Sequence, residues 1–418
     1  MLKILHTADW HLGQLFFGYD RDSEHAAFLG WLVEFIRNEQ PNAILVAGDV
    51  FDTVNPSATA TRRYYQFLAD ARAAAVDMQV VIVAGNHDAG ARLEAPQDLL
   101  NTLNINVTGT VHRDVNGEIN IDRFIIPVKN SHGEVEALVL AIPFLRPSDV
   151  PSIGQDADPY LEGIRELYRV VTARACQLRD ELYPGALILG MGHLHLLGAD
   201  ECRDSERRLI IGGVEALNAN SFPQELAYVA LGHLHKAQQF RNGTIRYSGS
   251  PIPLSFSEIH YQHQILQLKV EKEQPVEVTP VFVPLTKQLI CVPERGYSPL
   301  DDILLQIGEL RFDETIGEDR FPFLEVRALE DKPDPTRRRK LEQAVEGKPV
   351  RLASIKVEYP DRDRDTNKVE SQSAALDLRS LDPERIFMAA YEEKYAARPD
   401  ASVVAAFRET MLEISRDS

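Results

Sequence analysis

Three apolar runs near the start of the chain each end in a polar block, and this pattern leaves few folds open. Leu2–Leu5 leads into Asp9-Trp10-His11, Ala43–Ala47 into Gly48-Asp49, and Val80–Ala84 into Gly85-Asn86-His87-Asp88. Between the runs, Phe28, Leu29, Leu32, Val33, Phe35 and Ile36 recur at helical spacing. Ser57 is placed to cap a second helix, whose apolar face includes Tyr64, Phe67, Leu68 and Ala71. The order strand, helix, strand, helix, strand calls for a parallel sheet with helices packed over it. In such sheets ligands bind at the carboxyl ends of the strands, which is where the polar blocks fall.

The alternation continues. Strands are expected at Phe124–Val128, Ala137–Ile142, Ala186–Met191, Leu209–Ile211 and Tyr228–Leu231, with a long helix at Tyr160–Leu182. Ile245–Tyr247, Gln264–Val270 and Val276–Val283 add three more strands. The expected fold class is α/β: two sheets face to face between helices over residues 1–284. Residues 285–360 repeat the alternation on a smaller scale. Strands at Gln288–Val292, Phe323–Arg327 and Arg351–Val357 enclose helices at Leu300–Leu310 and Thr336–Val345, a small α/β cap. Residues 361–378 are densely charged and read as a linker. Residues 379–418 carry two helix starts, Asp382-Pro383 and Pro399-Asp400. Their apolar faces, Ile386, Phe387, Ala390 and Tyr391, then Val403, Val404, Phe407, Met411 and Ile414, suit docking on a partner. Folding back on the parent domain is the alternative.

The polar blocks have the chemistry of a metal centre. Mixed carboxylate, amide and imidazole ligands suit manganese or iron better than calcium. Asp9 and His11 are two apart on what reads as an extended segment, so their side chains point the same way. Asp49 can bridge two ions, and Asn86 offers an amide oxygen. Two further blocks follow expected strands: Gly192-His193-Leu194-His195 and Gly232-His233-Leu234-His235. The candidate ligands are Asp9, His11, Asp49, Asn86, His193, His233 and His235, divided between two ions that share Asp49. His195 is read as an outer group. His6, His25, His260 and His263 lack the strand-end context and read as structural or surface residues, as do His112 and His132.

Charge and composition limit the partners. The formal net charge is −18, so no global basic field draws the chain to a polyanion. A grip on nucleic acid must be local, through metal ions, a basic patch or a partner subunit. Cys176, Cys202 and Cys291 are odd in number and far apart, which fits a reducing compartment without disulfides. No apolar run approaches the ~20 residues that span a bilayer. Met1 leads straight into the first strand rather than into a signal peptide, and a cytoplasmic location is expected.

The ordered set Asp9-x-His11, Gly48-Asp49-x-x-Asp52, Gly85-Asn86-His87-Asp88, Gly192-His193 and Gly232-His233-x-His235 resembles the calcineurin-like metallophosphoesterases. The wording around the blocks is similar to the SbcD family of bacterial nuclease subunits within that superfamily. It includes His6-Thr7-Ala8-Asp9-Trp10-His11-Leu12-Gly13, Val46-Ala47-Gly48-Asp49-Val50-Phe51-Asp52, Ile142-Pro143-Phe144-Leu145-Arg146-Pro147 and the run from Tyr247 to Phe256. The resemblance implies a four-layer sandwich with a DNA-binding cap. It implies a two-metal DNA nuclease, most readily with Mn2+ and also with Mg2+, acting as double-strand exonuclease and single-strand or hairpin endonuclease in end processing, repair and recombination. His233 and His235 then complete the two metal shells. His87 is left to orient the scissile phosphate and protonate the leaving oxygen, a task for an imidazole near neutral pKa. The implied partner is an SbcC-like SMC ATPase held by the tail helices, in a heterotetramer with an SbcD homodimer. ATP belongs to that partner, because this chain has no Gly-x-x-x-x-Gly-Lys-Ser/Thr loop. Thr53 stands where the superfamily's protein phosphatases carry Arg, which counts against a phosphoprotein substrate. The alternatives are a phosphoesterase of small diesters or monoesters and a DNA-end tether without catalysis.

Overall fold

The computed structural model describes residues 1–151, 159–202, 216–272, 274–313 and 315–359, together with 387, 388 and 391. Two compact units are distinct: Met1–Ala328 with Pro335–Val357, and Leu329–Asp334 with Glu358–Ser418.

In the larger unit, side-chain alternation along each strand builds four layers. The first sheet runs in the spatial order Glu277–Phe282, Gln264–Val270, Leu2–Thr7, Ala43–Ala47, Gln79–Val83, Ile105–Thr108. Its last four strands are parallel, as the β-α-β-α-β reading expects. The second sheet runs Gln238–Phe240, Ile245–Tyr247, Leu226–Gly232, Leu187–His193, Val135–Ala141, Ile125–Lys129. Leu5, Ile44, Val46, Val80 and Ile82 face outward beneath the helices Asp22–Glu39 and Ala58–Ala74. Their neighbours Ile4, Ala43, Leu45, Val81 and Val83 face inward and meet Val139, Leu189, Met191 and Ala230 of the second sheet. Leu138, Leu140, Ile188 and Val229 then pack outward against the Pro159–Leu182 helix. Ser57 caps the second helix as expected, accepting from the Ala60 N–H at 3.1 Å.

The inner layer is thin at the carboxyl ends. A Cβ on Gly232 would lie 2.0 Å from the Ala47 carbonyl oxygen, so only glycine lets the two sheets close here. Strand ends of both sheets therefore open into one place.

The cap joins the same unit. Phe323–Leu329 is its central strand, pairing with Leu289–Val292, Ser298–Pro299 and Arg351–Glu358. Ile303, Ile307 and Leu341 of its two helices cover Leu324 and Val326. A short hairpin, Leu15–Phe16 with Tyr19–Asp20, is absent from the sequence reading and makes the joint. Phe16 packs on Phe323 of the cap with ring centroids 4.8 Å apart and on Phe256 at 5.2 Å. The Tyr19 hydroxyl donates to the Leu352 carbonyl at 3.2 Å. Beneath them Arg21, Glu24 and Lys287 form a buried charge cluster, with Lys287 Nζ 3.3 Å from Glu24.

In the smaller unit the rings of Phe387 and Tyr391, four residues apart, lie 5.9 Å from each other. The rest of the two expected tail helices, the 361–378 linker and the Leu209–Ile211 strand lie outside the described residues.

Candidate metal centre

Five strand ends supply the seven ligand candidates. The strands ending at Thr7, Ala47 and Val83 deliver Asp9 and His11, Asp49, and Asn86. The strands ending at His193 and Gly232 deliver His193, and His233 with His235. Six of the seven side chains are buried, with residue exposure between 0% for Asp9 and 5% for His233.

The local backbone differs from the extended segments expected. Asp9 (φ 54°), His11 (φ 46°), Asp49 (φ 48°) and His233 (φ 101°) all have positive φ. For residues with a Cβ this costs on the order of 1–2 kcal/mol each, and such strain concentrates at functional sites. Cross-links between adjacent loops hold it. Asp9 N–H donates to Gly48 O at 3.0 Å, His11 N–H to Asp49 O at 3.0 Å, and Leu12 N–H to Val50 O at 2.9 Å. Asp9 and His11 thus reach the centre because the chain curls past the sheet edge. Gly48 must be glycine, since a Cβ there would lie 2.2 Å from His193 Nδ1.

Asp49 sits in the middle. Its Oδ2 is 3.6 Å from His11 Nε2 and 3.3 Å from His193 Nε2, while its Oδ1 accepts the His87 N–H at 2.8 Å. On one side of it, His193 Nδ1 donates to Ala47 O at 2.9 Å, so its Nε2 faces Asn86 Oδ1 at 2.9 Å. His233 Nδ1 approaches the same Asn86 oxygen at 3.1 Å. On the other side His11 lies against His235, ring centroids 5.2 Å apart. Asp9 Oδ1 accepts the His233 N–H at 2.9 Å, while Asp9 Oδ2 and His11 Nε2 are buried without any hydrogen-bond partner. A buried polar atom left unpaired costs about 1–3 kcal/mol. Carboxylate, amide and imidazole atoms that converge in this way fit a cation, and this donor set fits two. Side-chain N and O atoms of Asp9, Asp49 and His193 lie within 4.8 Å of one another, as do those of His11, Asp49 and His87.

The electrostatics carry the same demand for positive charge. Burial by itself lowers His193, but Asp49 and Asp9 override it and raise the imidazole to about 9. Burial raises Asp9 to about 6 against the pull of His193 and His235. Burial acts on Asp49 in the same sense, yet His193, His11 and His87 outweigh it and hold its carboxyl well below the usual range. Burial, with help from His193, keeps His233 neutral.

Three supporting carboxylates had no role in the sequence reading. Asp52 Oδ1 pairs with His11 Nδ1 at 3.2 Å, and the Asp52 carbonyl accepts from His87 Nδ1 at 2.7 Å. Asp88 accepts from the N–H groups of Gly85, Val50 and Phe51 at 2.9–3.1 Å, tying two strand-end loops together. Glu258 accepts from His235 Nδ1 at 3.0 Å. Asp52 and Asp88 stand inside the blocks that the sequence displays. Glu258 lies 23 residues beyond its histidine, and no spacing announces it.

His6 is buried between the Tyr228 hydroxyl and the Leu231 carbonyl. His112 pairs with Glu94, and His263 Nδ1 donates to Ser250 O. His195 turns toward Glu201, its Nε2 3.3 Å from the carboxylate, at the margin of the centre.

The calcineurin-like phosphoesterase family profile matches residues 2–237, and a profile described as type 5 capsule protein repressor C-terminal domain matches residues 286–395. SbcD of the SbcCD nuclease of Rhodobacter capsulatus is 39% identical over 398 residues, covering 93% of this chain and 94% of that protein. SbcD of Escherichia coli K12 is 32% identical, with 87% of each chain covered. That of Bacillus subtilis is 31% identical, over 98% of this chain and 97% of its own.

Proposed function

This chain belongs to the calcineurin-like phosphoesterases and, within them, to the SbcD family, and from that premise we propose how its residues cut DNA. It is a metal-dependent hydrolase of phosphodiester bonds, the nuclease subunit of an SbcCD-type complex. One observation carries the reading most strongly. Carboxylate, amide and imidazole groups from both sheets converge on Asp49, with Asp9 Oδ2 and His11 Nε2 buried among them without hydrogen-bond partners.

Asp9, His11, Asp49 and His235 would hold one divalent ion, and Asn86, His193 and His233 the other, with Asp49 shared; we take both to be Mn2+, with Mg2+ as a substitute. When bound, two such ions supply Lewis-acid stabilisation to the attacking and leaving oxygens of an in-line displacement. The protein's own part is to fix the ligands. Asp52 orients His11, the Ala47 carbonyl orients His193, and Asp88 clamps the loops that carry Asp49 and Asn86. His87 is the proton donor. Its Nδ1–H is held by the Asp52 carbonyl, which leaves Nε2 to exchange a proton with the leaving oxygen.

The domain division that serves this activity is a nuclease domain over 1–284, a DNA-binding cap over 285–360, a charged linker over 361–378 and an SbcC-binding helical segment over 379–418. In the cap, Arg338, Arg339 and Lys340 are exposed on the Arg337–Val345 helix, the densest basic run beside the nuclease domain. They suit phosphate contacts in an otherwise acidic chain. The chain works as a homodimer within a heterotetramer, with an SbcC-like SMC ATPase binding ATP and sharing the grip on DNA. The compartment is the cytoplasm.

The test is cleavage with Mn2+ of linear duplex DNA, hairpin DNA and a small chromogenic diester, with and without the ATPase partner and ATP. DNA ends and hairpins should be cut in preference. Turnover of the small diester alone would favour the small-molecule alternative, and no turnover of any substrate would favour a tether.

A further inference from the structure

Glu258 is fully buried, and both of its oxygens are engaged. Oε1 accepts from His235 Nδ1 at 3.0 Å. Oε2 accepts from the Leu254 N–H at 2.9 Å and from the Ser250 hydroxyl at 3.4 Å. The loop between these residues also holds the backbone of His235, because the Ser250 N–H donates to His235 O at 3.0 Å. Gly249 has φ 77°, and a Cβ on it would lie 2.7 Å from that same carbonyl oxygen. The loop is gripped from outside by the joint of hairpin and cap. Arg21 donates to the Pro253 carbonyl, and Gln14 Nε2 to the Leu254 carbonyl at 3.2 Å.

We infer that Glu258 is a positioning residue of the metal centre: it fixes the tautomer and ring orientation of His235 and ties that ligand to the 250–258 loop against which the cap is seated. A proton held on Nδ1 by Glu258 leaves the lone pair of His235 on Nε2. A carboxylate behind an imidazole ligand also raises its basicity. The assignment rests on the reading of His235 as a ligand. It explains why a full carboxylate occupies a place with no access to water: both oxygens must accept, one from an imidazole and one from a backbone N–H. An amide has only one acceptor side, so glutamine cannot serve both donors.

The test uses the full chain with Mn2+ alone, by calorimetric titration and EPR, for the wild type and Glu258→Gln. The expected result is one Mn2+ of unchanged affinity and a second weakened about 10- to 100-fold, as loss of such outer partners generally costs. Raised Mn2+ should restore DNA cleavage by the variant. Two ions bound with wild-type affinity, or an activity loss that Mn2+ does not restore, would overturn the assignment. Should the variant fail to fold, imidazole 15N NMR of the metal-free wild type decides: His235 must carry its proton on Nδ1, and a proton on Nε2 refutes the role. A wild-type chain that binds two Mn2+ and cuts DNA while Glu258→Gln matches it fails this inference alone. A wild type that takes up no Mn2+ removes the underlying reading and the inference together.

Discussion

At the scale of single residues, the centre is a set of strained and desolvated groups arranged to suit a cation. Four of its residues hold positive φ, and the blocks gave no sign of this, since Asp9-x-His11 reads as extended until the loop hydrogen bonds are seen. The candidate ligands were legible because they stand at strand ends, where periodicity stops and polar residues begin. The supporting Glu258 was not, because tertiary folding alone brings it to His235. For His87, Ala substitution should leave Mn2+ binding intact and slow cleavage about 100- to 10,000-fold, read by titration beside a DNA assay. If His87→Ala lost its metals as well, its role as proton donor would be wrong. A second prediction concerns His6, which burial holds at about 3 against an ordinary 6.5. The folded state keeps it neutral while the unfolded chain takes up a proton below 6.5. This residue's contribution is therefore complete above pH 6.5 and is lost as pH falls toward 3. Urea unfolding between pH 6 and 4 should show a slope shallower by about 1.4 kcal/mol per pH unit in His6→Gln than in the wild type. Equal slopes would mean that His6 titrates normally in the folded chain.

At the scale of elements, the strand–helix alternation carried most of the fold. The strands Ala43–Ala47, Ile245–Tyr247 and Gln264–Val270 occupy the spans expected from their apolar patterns. What escaped is short: the strands Ile105–Thr108 and Gln238–Phe240, and the Leu15–Phe16 and Tyr19–Asp20 hairpin, whose two residues per strand are below the length at which alternation is readable. Yet this hairpin seats the cap. Phe323 is fully buried against Phe16 and Tyr19, so Phe323→Ala should cost about 3–5 kcal/mol of stability. Chemical denaturation measures it; a loss below about 1 kcal/mol, far under the usual cost of such a truncation, would show that the aromatic joint does not hold the cap.

At the scale of the whole molecule, the net charge of −18 sets a chain that cannot hold DNA by its overall field against a family whose relatives are nucleases. Under the proposed function, the basic run on the cap helix and a partner subunit would resolve the conflict. Replacing Arg339 and Lys340 by Ala should weaken DNA binding evenly across sequences and lower the slope of log affinity against log salt by about 2. An unchanged slope would place the DNA elsewhere. Deleting 379–418 should abolish binding to the SbcC-like ATPase while leaving Mn2+ uptake intact, and retained binding would move that contact to another surface. The proposed nuclease chemistry requires Asp49 to be shared by two metal ions. EPR of the chain loaded with two equivalents of Mn2+ tests it most directly. The wild type should show an exchange-coupled pair that is lost in Asp49→Asn, and two uncoupled ions in the wild type, or a single bound ion, would refute the shared carboxylate.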